Sequence, residues 1–349
     1  MMRRFTLLTL FLCACTSASN PGNNSETEPP TLEAITPTSS VGFATKIPTG
    51  EPEVPESGDL RISEIDDMEQ IYIEAGEFTM GSEDEDSKQT PTGIGGVAWP
   101  EGPEHLVSVG SFWIDKYEVT NTQYARCVNE GACNPPRMLE GPQPLMAVEP
   151  FIASEYYTNP EYANYPVVYV DFYAARDYCG WAGRRLPTEA EWEKAARGTD
   201  GRRYTWGNDP VSSAKANFCD GNCPKEVANT SYDDGYMVTA PAGSYPEGAS
   251  PYGVMDLAGN VWEWVDTIPM FYPYDPDDGR EEPDTRIRSC YPPAPCADGE
   301  TPFGDGPERV IRGGTWQNGP WWLRATVRYK LVPGYAHWST GFRCAMDAE

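Results

Sequence analysis

RGGTWQNGPWWLRATVR, residues 312–328, followed by GFRCA at residues 341–345, is the most telling part of this 349-residue chain. Paired glycines open a turn, three tryptophans crowd into seven residues, and Gly319-Pro320 bends the chain between them. Flat aromatic rings beside amides and a guanidinium suit a carbohydrate or a peptide. The candidate ligand surface is therefore Thr315, Gln317, Asn318, Trp321 and Arg324. Trp316 and Trp322 read rather better as core, and Arg324 as an internal ion-pair partner. Gln317, Asn318 and Trp321, in the Gly-Pro turn, are the set expected to be exposed.

Upstream of this stretch the folded part is read as one domain over residues 68–349. IYIEAGEFTMGS places Ile71, Ile73 and Phe78 in a strand–turn–strand pattern around Gly76, and SFWIDKYEVT predicts a further strand with Phe112 and Ile114 inward. Thr120 with Gln123, and Thr188 with Glu191, form capping boxes at the heads of two helices. Asp171 caps a third, which Gly183 stops. Past Gly198 the chain is rich in Gly, Pro, Asp and aromatics with few long periodic runs, so the domain is expected to depend on aromatic packing, disulfides and bound ions more than on regular elements.

Arg3 and Arg4 precede a short apolar run, Phe5–Leu12, too short to span a bilayer as a helix. Leu12-Cys13-Ala14-Cys15 resembles a bacterial lipobox, with residues 1–14 as signal peptide and a lipid on Cys15. An ordinary secretory signal is the simpler alternative. The lipobox is favoured because residues 15–67, rich in Pro, Thr, Ser and Glu, read as a disordered tether of roughly 40 Å root-mean-square span. The expected place is the cell envelope, lipid-anchored outside the cytoplasmic membrane.

Lys and Arg total 26 against 53 Asp and Glu, a formal charge of −27. Such a chain repels phosphate backbones, which argues against nucleic acid as a partner. Of ten cysteines, eight remain beyond Cys13 and Cys15. Cys127 with Cys133, Cys219 with Cys223, and Cys290 with Cys296 are close in sequence and suit small disulfide loops in an oxidising compartment. Eight cysteines allow 105 pairings, so spacing gives a preference only. Zinc is disfavoured, since Cys219-x3-Cys223 has no second Cys/His pair at ligand spacing and the chain has two histidines, each read as a surface or turn residue. No nucleophile elbow supports a Ser/His/Asp triad.

MGS (80–82), YEVTNTQY (117–124), GRRLPTEAEWEKAARG (183–198), YTWGN (204–208), GNVWEW (259–264) and the stretch at 312–345 together resemble the formylglycine-generating enzymes, or sulfatase-modifying factors, in family order. The resemblance implies an α+β domain of the C-type lectin type with little regular secondary structure, and a disulfide between Cys179 and Cys344. It also implies copper held by two thiolates, at positions that here read Asn318 and Leu323. Copper(I) selects soft sulfur, so copper and the oxidase chemistry are not expected. Thr315 matches a hydroxyl of the family site and Trp262 an aromatic near it. Relatives that use iron on three histidines fail by count, since only His105 and His337 are present.

Calcium is expected at two sets of positions by the same resemblance. One is Asp256, Gly259, Val261 and Glu263, and the other Asn217, Phe218, Asp234 and Tyr236. Carboxylates and carbonyls spaced along turning loops suit a hard cation. The acidic runs Glu83–Asp86 and Asp275–Asp278 lack EF-hand spacing and read as solvated loops. The leading expectation is a calcium-stabilised binding module for a glycan or a peptide or protein ligand. The competing one is a formylglycine-generating-type oxidase acting on an exported protein.

Overall fold

Helices begin where the caps place them. The computed structural model describes residues 55–88, 92–93, 96–137, 153–223, 228–281, 289–290, 301–302 and 307–348. The leader, Cys15, most of the expected tether and Cys296 lie outside these residues. Helix α1 (Asn121–Asn129) carries both halves of the Thr120/Gln123 capping box, and α4 (Glu189–Arg197) both halves of the Thr188/Glu191 box. Between them lie the short α2 (Ala153–Thr158) and α3 (Phe172–Trp181), whose cap Asp171 accepts from Ala174 N–H. Gly183, at φ +72°, follows α3 as expected of a helix stop. No helix among the described residues is long and apolar enough to cross a membrane.

Two four-stranded sheets frame the domain. The first runs Leu60–Ile62, Glu69–Ile73, Phe112–Asp115, Ala345–Asp347, all antiparallel. The second runs Arg328–Leu331, Arg309–Arg312, Trp262–Trp264, Thr340–Phe342, its last pair parallel. The strands around Gly76 exist, yet they do not form a hairpin. Glu69–Ile73 joins the first sheet, whereas Gly76–Met80 pairs with His105–Val109.

The tether boundary at residue 67 needs correcting, because Leu60–Ile62 already pairs with Glu69–Ile73 and Asp66 is wholly buried against Arg184 and Tyr178. Three strand residues beside Pro and Glu leave no compositional mark. In Phe112–Asp115 all four residues are buried rather than alternate ones, since Arg61 covers Trp113 and Arg184 pairs with Asp115.

Cys344 lies in the two-residue link between the last strands of the two sheets, and its bridge to Cys179 fixes α3 to that junction. Cys127–Cys133 and Cys219–Cys223 are also formed. One core gathers Tyr124, Tyr178, Trp262, Trp264 and Phe342; a second packs Ile71, Ile114 and Val310 around Trp192 of α4. Every residue of α4 is buried, charged ones included. Arg312 donates to Glu193 at 2.6 Å and Arg328 grips Glu189 at 2.6 and 2.7 Å, so buried charges are paired as they must be.

Candidate functional site

Asn260 ties together the loops that carry the expected site residues. Its N–H donates to Asn217 O at 2.9 Å, and its carbonyl accepts Trp316 N–H at 2.9 Å and Thr315 Oγ at 3.0 Å. Its amide donates to Glu118 Oε2 at 2.8 Å and accepts from Ala240 N–H and Asn217 Nδ2. Beside it, Gly259 has φ +84°, and a Cβ there would meet Asn217 O at 2.1 Å, so only glycine lets the two loops touch. Sequence reasoning singled out neither Asn260 nor Glu118, although both lie in landmark strings.

The turn at 315–324 is not the open surface expected. Thr315 is fully buried, Gln317 and Asn318 are 5 % and 7 % exposed, and of the expected ligand residues only Trp321 is partly exposed. The 3₁₀ turn Pro320–Leu323 drives Trp322 and Leu323 inward, and Asn318 is clamped by its own N–H to Thr315 O and by Cys219 N–H on its carbonyl, each 2.8 Å. Arg324 is the internal ion-pair partner: it holds Glu101 at 2.6 and 3.0 Å beneath the Trp321 ring. Trp262 meets Trp322 edge-on at 5.9 Å.

Several buried polar atoms here lack partners: Trp262 Nε1, Trp316 Nε1, Gln317 Nε2 and Asn318 Oδ1. Groups of this kind are completed by ordered water or a ligand. Leu323, which the resemblance sets at the second family sulfur, is 1 % exposed, in an apolar cluster with Tyr204, Phe218 and Ala258. An amide and an isobutyl group do not fit copper(I). His337 is buried, not at the surface, stacked on Trp338 and bonded to Ser339.

Of the two calcium sets, the one with Asn217 offers the better fit. Asn217 is 1 % exposed and its Oδ1 has no hydrogen-bond partner, although its Nδ2 is fully used by Val238 O and Asn260 Oδ1. Asp234 accepts N–H groups of Phe218 and Tyr236 at 3.0 and 2.9 Å, which brings three of the four residues together. Burial lifts the Asp234 carboxyl to about 7, against those N–H donors, and the nearby Asp220 adds to the rise. A hard cation beside it would favour the ionised form.

In the other set Glu263 is engaged by Arg343 and by Trp192 Nε1–H at 2.7 Å, and Asp256 by Gly243 N–H at 2.5 Å. Burial raises Asp256 to about 6, and raises Glu118, on which Asp256 and Glu263 also act. Three buried carboxylates thus share one guanidinium. Among the described residues no group of three His, Cys, Asp or Glu side chains gathers as a metal cage, so any cation here depends on amide and carbonyl oxygens as well.

Residues 59–348 match the model of the sulfatase-modifying factor enzyme 1-like domain. The chain is 33 % identical over 313 residues to a formylglycine-generating enzyme of Streptomyces coelicolor, covering 80 % of this chain and 90 % of that one. It is 32 % identical over 287 residues to the serine/threonine-protein kinase Pkn1 of Chlamydia trachomatis, covering 80 % of this chain and only 38 % of the kinase. Among solved structures, PvdO from Pseudomonas aeruginosa superposes with a TM-score of 0.57 at 24 % identity, over 84 % of this chain and 100 % of that one, a likeness of fold. The landmark strings, the mixed helix-and-strand fold and the family match agree: this chain belongs to the sulfatase-modifying factor, or formylglycine-generating enzyme, family.

Proposed function

We propose that this protein is an exported, lipid-anchored member of its family that acts as a calcium-stabilised binding module and not as a copper-thiolate oxidase. One observation carries the reading. Leu323, which with Asn318 takes the place of the two sulfurs by the family resemblance, is packed into an apolar cluster. The ligand is a glycan or a peptide, met at Trp321, the one partly exposed member of the expected set. Calcium at Asn217, Phe218, Asp234 and Tyr236 braces the same turn, because Cys219 N–H, next to Phe218, holds the Asn318 carbonyl. The set at Asp256, Gly259, Val261 and Glu263 is the second candidate for the ion. The lipobox at Cys15 and the Pro/Thr/Ser/Glu-rich stretch after it support anchoring at the cell envelope.

The second reading is a formylglycine-generating-type oxidase, favoured by the identity that extends over 90 % of the Streptomyces coelicolor enzyme. The deciding assay presents a CxPxR sulfatase peptide to copper-loaded protein and follows aldehyde formation by mass. No conversion is expected; conversion would replace the binding reading by the oxidase one. Glycan and peptide arrays, with calcium and with chelator, then identify the ligand class, and acyl mass on Cys15 in protein from a native-like host tests the anchor.

A further inference from the structure

A second concave site lies on the outer face of the first sheet, and none of the residues discussed above as calcium or ligand contacts lines it. Strand register puts Tyr72, Trp113 and Met346 side by side on three neighbouring strands. Side chains alternate along a strand, and Ile71, Ile114 and Ala345 take the opposite face, which packs in the core. The Tyr72 and Trp113 rings lie 5.3 Å apart and form the floor. Arg61, on the edge strand, lays its guanidinium over Trp113 at 4.2 Å. The cavity measures about 610 Å³, within the range of pockets that take small ligands.

Charge separates this cavity from the rest of an acidic molecule. Three arginines line it, and two are neutralised: Arg184 by Asp66 and Asp115, Arg185 by Glu191 and Asp347. Arg61 has no carboxylate partner among the described residues. Its Nε donates to Gln70 Oε1 at 2.8 Å, and its Nη2 reaches only the thioether of Met346 at 3.6 Å. A thioether is a weak acceptor, and the guanidinium fork is shaped for a carboxylate. Burial, and then the charge of Arg184, work against the Arg61 proton, and the nearby charge of Asp115 offsets them only in part, so an incoming anion favours the charged form. A purely apolar ligand would leave that cation uncompensated, while a polyanion would meet Asp347 at the rim.

We propose that this pocket binds a carboxylate carried on a flat apolar body, with the carboxylate on Arg61 and the body against Tyr72, Trp113 and Met346. The chemistry is that of a free aryl acid or of the C-terminal residue of a peptide. Titration calorimetry on the full chain, with phenylacetate, N-acetyl-Gly-Phe and the amide of each, tests it. At least one acid should bind saturably and roughly tenfold or more tighter than its amide, the worth of a charge-assisted hydrogen bond. Tighter binding of the peptide acid assigns a peptide C-terminus, and tighter binding of phenylacetate a free acid. Arg61→Gln should abolish the preference for acid over amide; if that variant does not fold, Arg61→Lys should still weaken acid binding measurably. No saturation by either acid, equal affinity for acid and amide, or an unchanged preference in the variant overturns the proposal.

Discussion

Arg343 holds Glu263 through two parallel hydrogen bonds, Nε to Oε2 and Nη2 to Oε1, each 2.7 Å, with both side chains fully buried. The remaining Arg343 donors reach the carbonyls of Asp115, Lys116 and Met255, so one residue joins Glu263 of the second sheet to the end of a first-sheet strand and to the loop at Met255. Removing one partner strands a buried charge. Glu263→Gln should therefore lower unfolding stability by about 3–5 kcal/mol, measured by denaturant titration, and by the same amount in calcium and in chelator. A loss seen only in calcium would mean that the metal, not Arg343, is the main partner of Glu263.

Asn217 and Asp234 give the opposite pattern. A ligand that binds only the folded state raises stability by RT ln(1 + [L]/Kd), about 2.7 kcal/mol at a hundredfold excess over Kd. Wild-type protein should gain melting temperature with calcium. Asp234→Asn, which keeps shape and removes charge, should lose most of that gain, whereas Asp277→Ala, exposed in the helical turn Pro276–Arg280, should retain it. Identical melting of wild type with calcium and with chelator would sink the proposal.

Local signals were legible and long-range ones were not. The capping boxes at Thr120 and Thr188 need only four consecutive residues, and both formed. The short pairs Cys127–Cys133 and Cys219–Cys223 could be read from spacing, whereas Cys179 with Cys344 needed the family resemblance. By contrast Glu189 and Glu193 look like the solvated face of α4 until Arg312 and Arg328, over a hundred residues later, arrive to pair with them. Gln317 and Asn318 look exposed in a Gly-Pro turn because nothing local reveals that Cys219, far upstream, clamps the Asn318 carbonyl. Leu60–Ile62 is too short to interrupt the composition of the stretch around it.

Asp115 and Asp66 share Arg184. Burial lifts the Asp115 carboxyl to about 6 in spite of Arg184, and Asp66 pushes the same way. An unfolded Asp titrates near about 3.9. Between those values the folded state holds more protons than the unfolded one, so this group's contribution to stability declines as pH rises from about 4 to about 6. Asp115→Asn cannot titrate, and its deficit relative to wild type should shrink across that window in urea titrations. Parallel pH profiles for the two proteins would assign the slope elsewhere.

Copper uptake is the sharpest test of the missing sulfurs. Wild-type protein should not compete with a chromogenic chelator for copper(I), since Asn318 and Leu323 offer no thiolate. Asn318→Cys with Leu323→Cys should compete and show thiolate-to-copper absorption, and neither single variant should. Asn318→Cys removes a buried acceptor that lacks a partner, so its cost is small. Leu323→Cys opens space among Phe218, Ala258 and Tyr204, with a cost below the roughly 2–5 kcal/mol of a full Leu→Ala truncation. The new thiol at 318 would stand beside the Cys219–Cys223 bridge, since Cys219 N–H binds the Asn318 carbonyl, and thiol–disulfide exchange is the competing outcome. Peptide mapping separates the two. With the native bridges intact and both new thiols free, failure to take up copper(I) would mean that the loop itself, and not only its two side chains, has left the geometry an oxidase requires.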